Sequence, residues 1–168
     1  MVTRASYTDI PELVKLINSA YRGEASKQGW TTEADLLDGE LRTDEFNLKN
    51  LMEHPGSFFL KFTDDNKIQG CVFLEKQKEE MYLGMLSVSP QAQSKGIGKE
   101  FLAAAEQYAL QEGCHSIIMN VISVRHELIS WYERHGYSRT GKTNPFPTDN
   151  KFGIPKQALE FIILKKGL

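Results

Sequence analysis

The run Gln93-Ser94-Lys95-Gly96-Ile97-Gly98 is the stretch whose residue types and order are best suited to chemistry. It follows an apolar segment ending near Val88, turns at Ser89-Pro90, and leads into a helical repeat. In that repeat Ile97, Phe101, Leu102, Ala105, Tyr108 and Ala109 recur at three- and four-residue steps. A strand that feeds a helix through a glycine loop leaves several backbone N–H groups free. The positive end of the helix dipole adds to them, so the loop is suited to a phosphate group. Gly96 and Gly98 carry no Cβ and let a ligand come close, although glycines at such places also serve as plain turn residues. Two other glycine patterns are excluded. A P-loop needs Ser or Thr after Gly98-Lys99, where Glu100 stands, and the dinucleotide fingerprint needs a third glycine where Phe101 stands. His54, His115, His126 and His135 have neither triad nor metal spacing, so no metal site is expected.

The elements that must position this loop can be read from composition and periodicity. A chain of 168 residues is one domain, residues 1–168, with enough length for a core of its own. A net charge of −2 points to neither a nucleic-acid nor a membrane partner. No apolar run approaches the roughly 20 residues of a membrane span, and the N-terminus has no signal-peptide apolar region. Cys71 and Cys114 each sit alone in apolar runs and read as reduced core residues of a cytoplasmic protein.

In chain order, residues 2–5 form a strand, and Thr8 or Asp9 caps a helix that ends at Tyr21. Residues 21–30 are a loop; Thr31 or Thr32 caps a second helix to about Leu37, and Thr43 caps a third to about Glu53. Strands follow at 57–63, 67–75 and 81–88, with Gly84 marking a bulge or a close backbone approach. The helix after the glycine loop runs to about Glu112. A strand at 114–121, a helix at 125–135, a strand from Tyr137, a proline-rich loop from Asn144 to Pro155 and a last strand at 159–165 complete the chain. The expected class is α+β, a mixed sheet flanked by helices.

The pattern Gln/Arg-x-x-Gly-x-Gly/Ala at Gln93–Gly98, with Leu86-x-Val88-x-Pro90 before it, resembles the acyl-CoA loop of the GNAT superfamily of N-acetyltransferases. The element order resembles the GNAT core as well, over roughly residues 2–165. A second block, Asn120 to Tyr137, is similar to the family's other signature at Val121, Tyr132, Gly136 and Tyr137. It departs from that signature at Arg125 and Leu128. The resemblance implies a mostly antiparallel sheet splayed at the acyl-CoA site, and acetyl-CoA as co-substrate. Its pyrophosphate would lie on Gln93, Ser94, Lys95, Gly96, Ile97 and Gly98, and its pantetheine arm along Leu86, Ser87 and Val88. Arg125 stands where the family has a coenzyme-contacting asparagine, so it is a further cofactor candidate and equally an exposed helix-start arginine.

Acyl transfer from a thioester to an amine needs a proton acceptor, an oxyanion donor and an acid for the leaving thiolate. Tyr132 matches the family's usual acid; a phenol of ordinary pKa about 10 is protonated at neutral pH. The competing reading makes Trp131 and Tyr132 plain core aromatics. The resemblance puts the oxyanion donor on the backbone near Leu86 to Val88. The base is not evident, because the strand before the loop holds no acid after Glu80. Glu24 and Glu33 are candidates in the segment that resembles the family's variable substrate wall, and each also fits an ordinary surface position. Tyr21, Trp30, Tyr82 and Phe146 are candidates for contact with the acceptor. The activity implied is N-acetyl transfer to a primary amine of a small molecule, and pairing of two copies is compatible with the family. A non-catalytic acyl-CoA sensor of the same fold, and an unrelated α+β protein whose glycine turn is only a turn, stand beside it. Amino acid, polyamine, antibiotic and peptide N-terminus all stay open as acceptors.

Overall fold

The structure is a computed structural model that describes residues 1–168. Strand β1 (Val2–Arg4) leads through a 3-10 turn at Tyr7–Asp9 into α1 (Ile10–Tyr21), with Pro11 in its first turn, where a missing N–H is harmless. A short helix α2 (Gly23–Ser26) and a two-residue strand β2 (Leu37–Asp38) precede α3 (Glu45–Glu53). Then come β3 (Ser57–Asp64), β4 (Lys67–Gln77) and β5 (Glu80–Val88), followed by α4 (Ile97–Gln111), β6 (Ser116–Ile122) and α5 (His126–Arg134). The chain closes with β7 (Ser138–Pro145), β8 (Ile154–Pro155) and β9 (Glu160–Gly167).

Seven strands form one sheet in the order β1-β3-β4-β5-β6-β9-β7, and only β5 and β6 run parallel. Successive side chains of a strand point to opposite faces, and the sheet uses both. Phe58 and Leu60 face α4 and α5, packing with Phe101, Leu102, Ala105 and Ile129. Phe59 and Phe73 face the other way, onto Leu13, Ile17 and Ala20 of α1 and Leu48 of α3. A strand covered on both faces reads as a continuous apolar run, and β4 does so from Gly70 to Leu74. This explains its irregular alternation.

Four expected segments differ. The helix expected at 31–37 is a single turn, with Leu36 and Leu37 N–H on Glu33 C=O, followed by β2 paired with β8. The Thr32 hydroxyl accepts from Ala34 N–H and pairs with Ser26, while the Glu33 side chain is drawn inward, so no outward helical face forms. The cap of α3 is Asp44, whose carboxylate accepts from Asn47 N–H at 2.7 Å; Thr43 is buried, its backbone held by Asn18. The loop expected from Asn144 to Pro155 shrinks at both ends, since β7 extends to Pro145 and Ile154–Pro155 pair with β2. The segment after Tyr21 also contains the one-turn helix α2.

The bulge expected at Gly84 is present, one residue on. Cys71 faces Ser87 and Phe73 faces Gly84, so Val72 alone stands opposite Met85 and Leu86. Met85 takes a positive φ of 51°, a costly backbone conformation for a side-chain-bearing residue.

Candidate active site

The site begins where the two parallel strands part. β5 and β6 pair only through Glu80–Tyr82 and Ser116–Ile118. Beyond that, β5 stays with β4 and β6 stays with β9, so a wedge opens between Leu83–Val88 and Met119–Ile122. Two clefts occupy it. The larger, about 490 Å³, is bounded by the end of β5, the loop into α4, and α5. The smaller, about 280 Å³, lies between β5 and β6 under the segments 21–42 and 146–153. Tyr21, Leu86, Leu128 and Tyr132 line both.

The larger cleft has a backbone wall. Gly96 caps α4 with φ of 80°, and Ser94 before it is also left-handed at 70°, which turns the loop back over the helix end. The first donor to be satisfied is Glu100 N–H, on Gly96 C=O. The amides of residues 93 through 99 donate to nothing in the protein. A helix end whose N–H groups lack partners beside a cleft has the donors and the dipole that suit an anion. A Cβ on Gly96 would meet nothing, so glycine is there for its backbone, not for room. Lys99 and Arg134 add positive charge to this cleft, Glu127 opposes them, and Trp131 and His135 stack at 4.4 Å along its side.

The sequence candidates divide across these walls. Leu86, Val88, Gln93, Ser94, Gly96, Ile97 and Gly98 line the larger cleft. Ser87 alternates away and is buried, its hydroxyl on Met85 C=O. Lys95 points toward Phe62 and Gln91 instead, leaving only its amide in the loop. Gln93 works as a strut: its carbonyl accepts from Trp30 N–H at 3.0 Å, and its amide donates to Thr31 and to Val88 C=O. That strut sets Trp30 against Trp131, ring centroids 6.1 Å apart, and makes Trp30 a wall of the larger cleft.

Tyr132 stands at the junction of the two clefts. Its ring packs edge-on to Trp131 at 5.1 Å and Tyr137 at 5.8 Å, and it is 5% exposed. Its hydroxyl has no protein partner but opens onto both clefts; the one fully enclosed side-chain polar atom without a partner is Tyr137 Oη. Burial pushes the Tyr132 phenol well above its ordinary range, so it is a proton donor at any physiological pH. Tyr21, across the junction, donates its hydroxyl to Leu86 C=O, and burial raises its pKa to about 12.

The smaller cleft is held by a buried ion cluster that periodicity does not reveal. Glu33 binds Arg22 through one carboxylate oxygen and Arg125 through the other, the latter at 2.9 Å. Arg125 also donates to Thr31 C=O, and Arg22 donates to Phe152 C=O at 2.9 Å. Burial alone would raise the Glu33 pKa, but Arg125, Arg22 and Arg42 together hold it below the usual carboxylate value. An ionised carboxylate with both oxygens occupied accepts no further proton readily, so Glu33 is a tie and not a base. Arg125, placed with the cofactor in the sequence reading, faces the smaller cleft with its guanidinium spent on Glu33 and Thr31. Glu24 reaches neither cleft; it lies on the surface beside Lys27. Tyr82 lines the smaller cleft, as does Phe146, which stacks on Phe161 at 5.1 Å. Arg42, Asp149 and Phe152 complete its wall. None of these three has a local sequence signal; Phe152 is tied to Arg22, 130 residues away, and Arg42 is held by the Asn18 side chain.

No cluster of His, Cys, Asp or Glu in the structure could hold a metal ion, and no helix is long and apolar enough to cross a membrane.

Comparison with known proteins agrees with this geometry. A mouse protein described as probable N-acetyltransferase family 8 member 5 is 32% identical over 65 residues, which are 39% of this chain and 29% of that protein. The match therefore spans under a third of that relative's length. Among solved structures, a ribosomal-protein-alanine N-acetyltransferase from Brucella melitensis superposes with a TM-score of 0.74 at 18% identity, over 100% of this chain and 99% of the other. The paia N-acetyltransferase from Thermoplasma acidophilum, solved in complex with coenzyme A, gives 0.71 at 16% identity over 100% and 98%. At such identities the likeness is one of fold. The profile of the acetyltransferase (GNAT) family, however, matches residues 11–137, from the first turn of α1 to the end of the α5 block. With well over half of its length matched, including the glycine loop and Tyr132, this chain belongs to the GNAT acetyltransferase family.

Proposed function

We propose that this chain transfers an acetyl group from acetyl-CoA to a primary amine of a small molecule, by direct attack within a ternary complex. The observation that carries the reading is the row of unpartnered amides from 93 to 99, opening onto the same cleft as the free Tyr132 hydroxyl. Those amides, with Lys99 and Arg134, suit a pyrophosphate. The edge of β5 at Leu86 and Val88, which no strand pairs although its carbonyls accept from Tyr21 and Gln93, suits an extended pantetheine arm running inward from it. Acetyl-CoA supplies an activated thioester, and the junction at Tyr132 is where its acyl end would meet an amine entering from the smaller cleft.

There the amine nitrogen forms a bond to the acyl carbon, and the carbon–sulfur bond breaks. Tyr132 gives its proton to the departing sulfur and regains one from solvent through the open clefts. The amine loses a proton to water or to Asp149, the remaining carboxylate on the cleft wall once Glu33 is committed to its arginines. Preorganised donors on the splayed strand stabilise the oxyanion.

A second reading, an acyl-CoA sensor without turnover, is favoured by one observation: the only buried carboxylate of the smaller cleft is locked in ion pairs. Release of free thiol from acetyl-CoA in the presence of mixed amines separates the two. Tyr132→Phe should lower kcat by about a hundredfold, the low end for loss of an acid, with acetyl-CoA binding retained. Binding of acetyl-CoA with no thiol release for any amine would favour the sensor.

A further inference from the structure

The smaller cleft contains more arginine than its carboxylates can answer. Arg22 and Arg125 share Glu33. Arg42, half-buried on the same wall, has a guanidinium with no hydrogen-bonding or ion-pair partner in the protein. Its position is nevertheless fixed. The Asn18 side chain accepts from the N–H of Arg42 at 2.6 Å and of Thr43 at 3.0 Å, and donates back to Thr43 C=O. The base of a flexible residue is thus clamped to α1 while its charged end is left open. Arg42 lines this cleft together with Tyr21, Glu33 and Tyr82. A planar guanidinium held half-buried on the wall of a cleft is suited to bind a carboxylate through two parallel hydrogen bonds. It also repels a second cation.

We infer that the acceptor is a compact aminocarboxylate, an amine whose own carboxylate is bound by Arg42. This rests on the transferase reading above and deepens it. The cleft, about 280 Å³, has room for a single amino acid, with Phe146, Phe152 and Phe161 as an apolar surface for its side chain. Polyamines and polycationic antibiotics carry the wrong charge for this wall. A peptide N-terminus carries no carboxylate close to its amine.

The test is a thiol-release assay with the common amino acids, their carboxamides and the corresponding decarboxylated amines, run on the wild type, Arg42→Ala and Arg42→Lys. Thermal stabilisation by acetyl-CoA serves as the control for each protein. For the best amino acid, kcat/KM should fall roughly 10- to 100-fold on amidation or decarboxylation, the range for losing a charge-assisted hydrogen-bonded pair. Arg42→Ala should lose a similar factor, mostly in KM, and should no longer distinguish acid from amide. Arg42→Lys should recover part of the discrimination. Equal or better turnover of the neutral or cationic amines by the wild type would overturn the acceptor assignment and leave the transferase reading standing. Failure of acetyl-CoA to stabilise the wild type, or stabilisation with no turnover of any amine, would overturn both.

Discussion

The larger and smaller clefts meet at Tyr132 and are built by opposite means. The larger is made of backbone: a loop, a helix end, and donors that owe nothing to side-chain identity. The smaller is made of side chains brought from widely separated parts of the chain, fixed by an ion cluster. A backbone site is rigid, local and tolerant of sequence change around its glycines. A side-chain site has few local constraints, and its charges can be rearranged without refolding the sheet. The same scaffold can therefore keep one ligand while another is exchanged.

Breaking the ion cluster should be the costliest change. Glu33→Ala leaves Arg22 and Arg125 buried without a counter-charge, a loss of about 3–5 kcal/mol. Denaturant unfolding should show a lower midpoint at an unchanged slope, and Arg22→Met combined with Glu33→Leu should recover part of it. A fall of less than about 1 kcal/mol would mean that the cluster is solvated and that the smaller cleft is not set by it.

The same cluster and its tyrosines make stability depend on pH from both ends. Tyr21 is raised to about 12 from an ordinary 10, so its contribution is complete below pH 10 and is lost as pH rises through the folded value. Two units correspond to a loss of roughly 3 kcal/mol once pH exceeds both values, and Tyr132 and Tyr137, raised the same way, deepen the fall. Glu33 acts in the other direction. Its pKa is lowered, so its contribution is present above the ordinary value of 4.5 and is lost as pH falls through the folded value. Stability measured by denaturant should be flat between these limits, and Tyr21→Phe should remove part of the alkaline limb.

Much of the larger cleft was legible in the sequence. The glycine loop, the apolar strand before it and the helix after it occupy one contiguous stretch, whose spacing suits a phosphate and whose resemblance to the GNAT loop implied acetyl-CoA. The positions of most strands and helices were legible from alternation and helical periodicity, which are local, whereas the strand order within the sheet depends on long-range pairing and was not. The smaller cleft was not. Arg22 and Glu33 lie in a segment whose polar composition reads as a solvated loop, and Thr31-Thr32 before Glu33 and Asp35 mimics a helix start. What overrides that local signal is Arg125, reaching from ninety residues downstream, which pulls Glu33 inward and ends the helix after one turn. Arg42 and Phe152 carry no periodic signal at all.

Smaller perturbations sharpen the contrast on the side of the larger cleft. Gln93→Ala removes the strut between residues 30–31 and the end of β5 and should cost about 1–2 kcal/mol, with weaker acetyl-CoA binding by calorimetry. An unaltered affinity would mean that the loop holds its shape without that side chain. Trp30→Ala removes a half-exposed aromatic from the wall against Trp131. It should cost about 0.5–1.5 kcal/mol of acetyl-CoA affinity and leave the preference among acceptors unchanged.

The most direct test is thermal melting of the wild type and of Gly96→Asp, each with and without acetyl-CoA. At about a hundred times the dissociation constant, ligand should add about 2.7 kcal/mol to the wild type, a rise of roughly 5–10 °C for a domain of this length. Gly96→Asp places a carboxylate at the loop and forces a side chain into the left-handed region, so it should melt somewhat lower. It should fold, and it should not respond to the ligand. A wild-type midpoint unmoved by saturating acetyl-CoA would contradict the assignment of the 93–99 amides, and the proposed transfer would fall with it.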